Sequence, residues 1–269
     1  MSDLILTGAS RGIGRSLALQ LAATRPNDRL LLVSRDKGRL DALAGEIGGR
    51  AVVLQADLAT IAGARAAGER LALAIQPGTT LIHNAGIWPH KRELTADGLE
   101  AAYATNVVAP LQLQQPLIAS GKLSRILAVG AGLMIKGRFD RLRTPDGDDF
   151  SSIRTYCSTK LAFAIAMRDV AAAHPELDVA VVHPGVIRTD LGARPGPIGW
   201  LLNLVKKKWE APEVAAQRLA RILAKERWSP AGEARWMIEE KEEPWPAVAE
   251  DEATRAAVRE TTAVMLSGS

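Results

Sequence analysis

The sequence predicts an α/β fold: a single domain on a parallel sheet of about seven strands, with helices on both faces. Three observations predict it. Short apolar runs of strand length alternate with longer Ala- and Leu-rich stretches, the βαβ order that builds parallel sheets with right-handed crossovers. Apolar residues make up 47% of the chain and aromatic residues only 4%, so the core is aliphatic, as in a sheet covered on both faces. The first strand-to-helix junction is rich in glycine, and a length of 269 residues suits one such unit.

Composition narrows the function. The formal net charge of +4 comes from scattered arginines and not from one basic block, which gives nucleic acid no footprint. The single cysteine, Cys157, excludes an internal disulfide and a multi-cysteine metal site, and no metal is expected. The first strand starts too early for a signal peptide, and no apolar run approaches the ~18 residues of a membrane span. A cytoplasmic protein is expected, with its oligomeric state open and a homo-oligomer among the options.

Taken in order, Leu4-Ile5-Leu6 is the first strand, and Ile13, Leu17 and Leu21 mark the first helix at a spacing of four. Between them stands Thr7-Gly8-Ala9-Ser10-Arg11-Gly12-Ile13-Gly14. Glycines let a backbone turn tightly and approach a pyrophosphate, while the helix amino terminus favours its charge; an ordinary glycine-rich turn would read the same in isolation. The arrangement is Rossmann-like. Arg29 to Val33 is the second strand, closed by Ser34-Arg35. Ser34 lies where an NAD-binding protein carries an acid for the ribose 2′-hydroxyl. A hydroxyl and a guanidinium there, with Arg11 as a second clamp, suit a 2′-phosphate and favour NADP(H).

Ala51 to Ala56 is the third strand, ended by Asp57-Leu58, and Leu81 to His83 the fourth, ended by Asn84-Ala85-Gly86. Polar residues at strand carboxyl ends line the ligand crevice of such sheets. Asp57 suits an adenine amino group; Asn84 suits either ribose or turn geometry. Thr95 to Leu117 reads as a helix with Thr95 as N-cap and Asp97 in its first turn. Pro110 stands four residues after Asn106 and has no N–H, so the Asn106 carbonyl loses its usual donor. Either a proline kink or a carbonyl able to hold a water follows. Arg125 to Val129 is the fifth strand, followed by Gly130-Ala131-Gly132 and a polar connection over 137–153.

Tyr156 and Lys160 sit four apart at the start of an apolar helix, Leu161 to Val170, and so share a face. An ammonium beside a phenol lowers its pKa by ~1–3 units, giving an acid/base useful near neutrality. Val179 to Val182 is the sixth strand and leads into His183-Pro184-Gly185-Val186-Ile187-Arg188-Thr189; Ala234 to Ile238 is the last. Residues 192–212 read as a substrate lid ahead of a surface helix or a membrane-surface patch. Pro212 to Ala224 is a further helix, and 239–269 a C-terminal extension with a helix over Glu250 to Leu266.

These motifs, in this order over about residues 3 to 191, resemble the short-chain dehydrogenase/reductase family, most closely its retinol-dehydrogenase-like branch. The resemblance implies an oxidoreductase that passes hydride between NADP(H) and a small apolar carbonyl or alcohol. It implies Tyr156, Lys160 and Asn106 as the catalytic set. Tyr156 would move the proton, Lys160 would lower the Tyr pKa and hold the nicotinamide ribose, and Asn106 would hold a relay water. Gly8, Ser10, Arg11, Gly12, Ile13, Gly14, Ser34, Arg35, Asp57, Leu58, Asn84, Ala85, Gly86, Tyr156, Lys160, Pro184, Gly185, Val186 and Thr189 would bind cofactor. One position departs from the pattern: Ala131 stands where the family carries its substrate-polarising Ser. Ser151, Ser152 and Thr155 are candidate replacements, and Leu133, Met134, Trp88 and Trp200 candidate pocket walls. The alternative is an NADP(H)-binding sensor or scaffold with little or no turnover.

Overall fold

The structure, a computed structural model, describes residues 2–139, 150–188, 191 and 209–267. The strands are β1 Asp3–Thr7, β2 Arg29–Ser34, β3 Ala51–Gln55, β4 Thr79–His83, β5 Leu123–Val129, β6 Asp178–His183, β7 Ala234–Ile238 and β8 Lys241–Glu243. They form one sheet in the order β3-β2-β1-β4-β5-β6-β7-β8. Every pair is parallel except β7–β8, which is an antiparallel hairpin. The expected seven strands are therefore joined by an eighth. Lys241-Glu242-Glu243 is exposed and carries none of the apolar or β-branched residues by which strands are recognised, so only the hairpin turn, with Glu239 at φ 58°, creates it.

The helices are α1 Gly12–Thr24, α2 Lys37–Ile47, α3 Ile61–Ala74, α4 Ala101–Tyr103, α5 Ala109–Ala119, α6 Ser152–Ala173, α7 Pro212–Ala224, α8 Ala247–Glu250 and α9 Glu252–Ser267. Alternate strand residues feed two cores, as a period of two requires. Ile5, Leu31, Leu81, Ile126 and Val179 face one side with residues of α3, α5 and α6. Leu4, Leu6, Leu30, Ile82, Leu127 and Ala180 face the other with residues of α1, α2 and α7. Each fully buried Leu or Ile contributes about 1.5–3 kcal/mol.

Several helical expectations need correction. The helix read from Thr95 starts at Ala101, because Glu100 caps it by accepting from the N–H groups of Ala102 and Tyr103. Thr95 instead closes a turn through Gly98, whose φ is 75°. Asp97 accepts from Ile61 N at 2.9 Å and so serves the amino terminus of α3. Where Pro110 removes a donor, the chain makes a π turn over Ala104–Val108 and not a sharp kink, a widening often found at functional sites. Helix α6 runs well past the Leu161 to Val170 expected for it, and the terminal helix is split at Asp251, whose extended backbone separates α8 from α9. Most of the expected lid, residues 192–208, and Thr189 lie outside the described residues.

The two edges of the sheet differ in chemistry. At the amino ends, Arg29 forks onto Asp3 at 2.8 and 2.7 Å, and Asp178 accepts from Trp228 N, Ser229 N and Arg125. These satisfied networks hold the fold together. At the carboxyl ends stand the loops that carry the sequence motifs.

Candidate active site

The glycine turn is held from the neighbouring strand. Thr7 Oγ1 accepts from Asn84 N at 3.0 Å and Ala85 N at 3.1 Å, and donates to Ile82 O. Asn84 Nδ2 returns to Thr7 O at 3.0 Å and Gly8 O at 3.2 Å. Asn84 thus fixes turn geometry, one of its two expected roles, and Thr7, the first residue of the glycine motif, is its partner in doing so. A side-chain carbon at Gly14 would collide with the Gly8 carbonyl and with Asn84 Nδ2, so only glycine lets α1 begin this close to β1. Arg11 stands at the N-cap without a side-chain cap bond, and the first turn of α1 holds no acid. Its amides are open to an anion. Ser10 and Ile13 are half-buried beside the turn, and Gly12 has φ 53°.

Along the same edge Ser34 is buried and its Oγ accepts from Asp36 N at 3.1 Å, while Arg35 is exposed. Asp57 is exposed and accepts from Ala59 N at 2.9 Å; Leu58 packs on the core. The glycine cradle, the uncapped helix terminus and the two arginines fit a dinucleotide with a terminal phosphate. Neither Ser34 nor Arg35 carries a carboxylate to repel one, and the adjoining Asp36 is turned to Arg39, accepting from its N–H at 3.0 Å and pairing with its guanidinium at 3.1 Å.

Gly86 lies between Asn106 Oδ1 and Lys160 Nζ, so three motifs distant in sequence meet. Asn106, at 1% exposure, is committed. Its Oδ1 accepts from Ile87 N at 2.8 Å, and its Nδ2 donates to Ile87 O at 2.9 Å and Thr159 Oγ1 at 3.1 Å. Its main-chain carbonyl lacks the usual i+4 donor, because Pro110 has no N–H. Lys160 donates to Val129 O at 3.0 Å, and burial lowers its pKa to about 8. Tyr156 is 5% exposed and lies flat on Trp88, with ring centroids 4.6 Å apart and planes at 12°. Burial, with a smaller push from Cys157, raises its pKa well above the usual phenol value. The expected lowering by Lys160 is not found: burial sets the direction of the shift, and the Lys160 ammonium donates to Val129 O.

Ala131 is 8% exposed and stands two residues past β5, at the N-cap of a 3₁₀ turn over Gly132–Lys136. Of the candidate replacement hydroxyls, Ser152 donates to Pro89 O at 2.6 Å, and its carbonyl accepts from Trp88 Nε1 at 3.0 Å. It straps the Trp88 loop and is a poor replacement donor. Ser151 precedes α6 without making a side-chain cap, and Thr155 is half-buried in its first turn. Met134 is fully buried and so cannot wall a pocket; Trp200 lies outside the described residues. Pro184 is buried, Gly185 has φ 108°, and Val186 is 54% exposed.

Fold and site together define a Rossmann-type α/β protein with a phosphate-type glycine turn and a buried Tyr–Lys face one strand away. Residues 3–138 match the short chain dehydrogenase model, and the chain belongs to the short chain dehydrogenase family; retinol dehydrogenases are among the curated relatives it resembles. Human retinol dehydrogenase 13 is 29% identical over 238 residues, covering 80% of this chain and 69% of the relative. Human dehydrogenase/reductase SDR family member 13 is 32% identical over 214 residues, covering 75% and 55%. The chain thus spans between 55% and 69% of these curated relatives. Among solved structures, a short chain dehydrogenase from Burkholderia cenocepacia in complex with NADP is 26% identical, with a TM-score of 0.65 over 88% of this chain and 96% of that one. Among the described residues no helix is long and apolar enough to cross a membrane.

Proposed function

We propose that this protein is an NADP(H)-dependent oxidoreductase interconverting an apolar carbonyl and its alcohol, with Tyr156 as acid/base. The observation that supports the reading is that Gly86, Asn106 and Lys160 meet, with Tyr156 one helical turn before Lys160 and stacked on Trp88. A bound nicotinamide supplies or accepts the hydride. The chain does the rest: Gly8 to Gly14 cradle the pyrophosphate, Arg11 and Arg35 clamp the 2′-phosphate, and Asp57 takes the adenine. Lys160 holds the nicotinamide ribose, and Pro184, Gly185, Val186 and Thr189 the carboxamide end. Tyr156 gives or takes the proton at its hydroxyl. The Asn106 carbonyl offers a place for a water on the proton's route. The NADP held by the similar Burkholderia enzyme supports the cofactor assignment.

Ala131 keeps a second reading in view, a cofactor binder with little turnover. Removing one preorganised donor lowers a rate by about 10² to 10³. NADPH oxidation with a panel of apolar aldehydes and ketones separates the readings. We expect weak turnover in the wild type, a gain on Ala131→Ser, and loss on Tyr156→Phe with NADPH binding kept. Tight NADPH binding without turnover in either wild type or Ala131→Ser would leave the binder as the better reading.

A further inference from the structure

Helix α7 touches both ends of the site. Toward the glycine turn, its Ala216, Leu219, Ala220 and Leu223 share a core with Leu17, Ala18 and Leu21 of α1, and Glu213 accepts from Ser16 Oγ at 3.0 Å. Toward the other end, one residue of the same helix, Arg218, reaches the Pro184-Gly185-Val186 turn. Its Nη1 donates to Pro184 O at 3.1 Å and to Glu210 Oε2 at 2.6 Å, and its Nη2 to Glu210 Oε1 at 2.8 Å. Glu239 stands 3.3 Å from Nη2. Glu210 is itself tied to the turn by main-chain bonds, its N–H to Val186 O and its carbonyl from Arg188 N. Gly185 has φ 108°, and a Cβ there would lie 2.6 Å from Arg218 Nη1 and 2.9 Å from Glu210 Oε2. The guanidinium occupies the space beside the only kind of residue that permits this turn.

We propose that α7 is a spacer that fixes the nicotinamide turn relative to the pyrophosphate helix, with Arg218 as the positioning residue. This role rests on the cofactor assignment above and extends it to residues that touch no cofactor. An Arg fork on a carboxylate constrains direction as well as distance, and the carbonyl of Pro184 is held by the same group. A lysine ammonium lacks the planar fork that meets both Glu210 oxygens while holding Pro184 O, so Lys is not equivalent here.

The two halves of the cofactor separate the consequences. NADPH uses both ends of the site; adenosine 2′,5′-bisphosphate uses only the glycine turn and the arginines. With affinities measured calorimetrically, Arg218→Ala should weaken NADPH about tenfold or more, the lower end of what a lost charged hydrogen bond costs. The bisphosphate should bind the variant about as it binds wild type. Arg218→Lys should fall between, and Glu210→Gln, which preserves shape, should follow Arg218→Lys. Gly185→Ala should weaken NADPH in wild type and add less than its own effect in the Arg218→Ala background, since contacting residues are not additive. Equal loss of both ligands, or of neither, in Arg218→Ala and Glu210→Gln would overturn the spacer. Failure of the wild type to bind NADPH more tightly than the bisphosphate would instead overturn the nicotinamide assignment of the turn, and the spacer with it.

Discussion

At the scale of single residues, the site is bought with stability. Burial lowers Lys160 from 10.5 to about 8, so the unfolded chain holds this proton more tightly. For such a depressed cation, stability is lost as pH falls through about 8, and at pH 7 the charged lysine costs about 3 kcal/mol. Lys160→Met should therefore raise the urea midpoint of the ligand-free protein at pH 7 by an amount worth ~1–3 kcal/mol, some being lost with the Val129 bond, while nicotinamide-end binding fails. A destabilised variant would mean the ammonium is well solvated. His83 follows the same sign. It is buried against Phe163 with Gln114 on its Nε2 at 2.9 Å, and burial lowers its pKa from 6.5 to about 4. Its contribution is complete above pH 6.5 and fades toward pH 4, by about 3 kcal/mol. Unfolding free energies between pH 7.5 and 4.5 should decline in wild type and decline less in His83→Gln; parallel curves would acquit His83.

At the scale of elements, close approach decides. Gly14→Ala drives a methyl group into the Gly8 carbonyl and Asn84, and overpacking of this kind costs ~1–3 kcal/mol. It should also lower NADPH affinity, because the turn and α1 must part. A variant with unchanged thermal midpoint and affinity would show that α1 can slide. Asp97→Ala removes the carboxylate from the start of α3, and by the usual value of a cap should cost ~1 kcal/mol in chemical denaturation. Both cases also show what sequence could reveal. The glycine motif announced its turn because conformational need restricts residue type. Asp97 serving a helix 36 positions away, Glu100 as the true cap, and Trp88 lying on Tyr156 are tertiary facts that leave no local pattern. The π turn was legible only as a missing donor at Pro110.

At the scale of the molecule, the parallel sheet and the edge that carries the motifs followed from alternating apolar runs, because parallel strands with helical crossovers leave few topologies; the order of the strands is a finding of the structure. What escaped was β8, built from charged residues by a hairpin, and the direction of the Tyr156 shift, since burial depends on what covers the ring. Ligand linkage tests the whole assembly. NADPH at 100 times its dissociation constant should stabilise the fold by ~2.7 kcal/mol, and NADH at the same concentration by less, because Arg11 and Arg35 have only the 2′-phosphate to distinguish them. Equal shifts in thermal midpoint for the two cofactors would remove the NADP preference.

The four hydrogen bonds that lace Thr7 and Asn84 across β1 and β4 also have a kinetic meaning. A turn already held by its neighbour strand has lost its freedom during folding and surrenders little more on binding. Cofactor capture at the adenine end should then be a one-step encounter: stopped-flow traces should fit a single exponential whose rate climbs linearly with NADPH concentration. Thr7→Val, which keeps the shape and removes the acceptor, should introduce a plateau as the turn begins to search for its form.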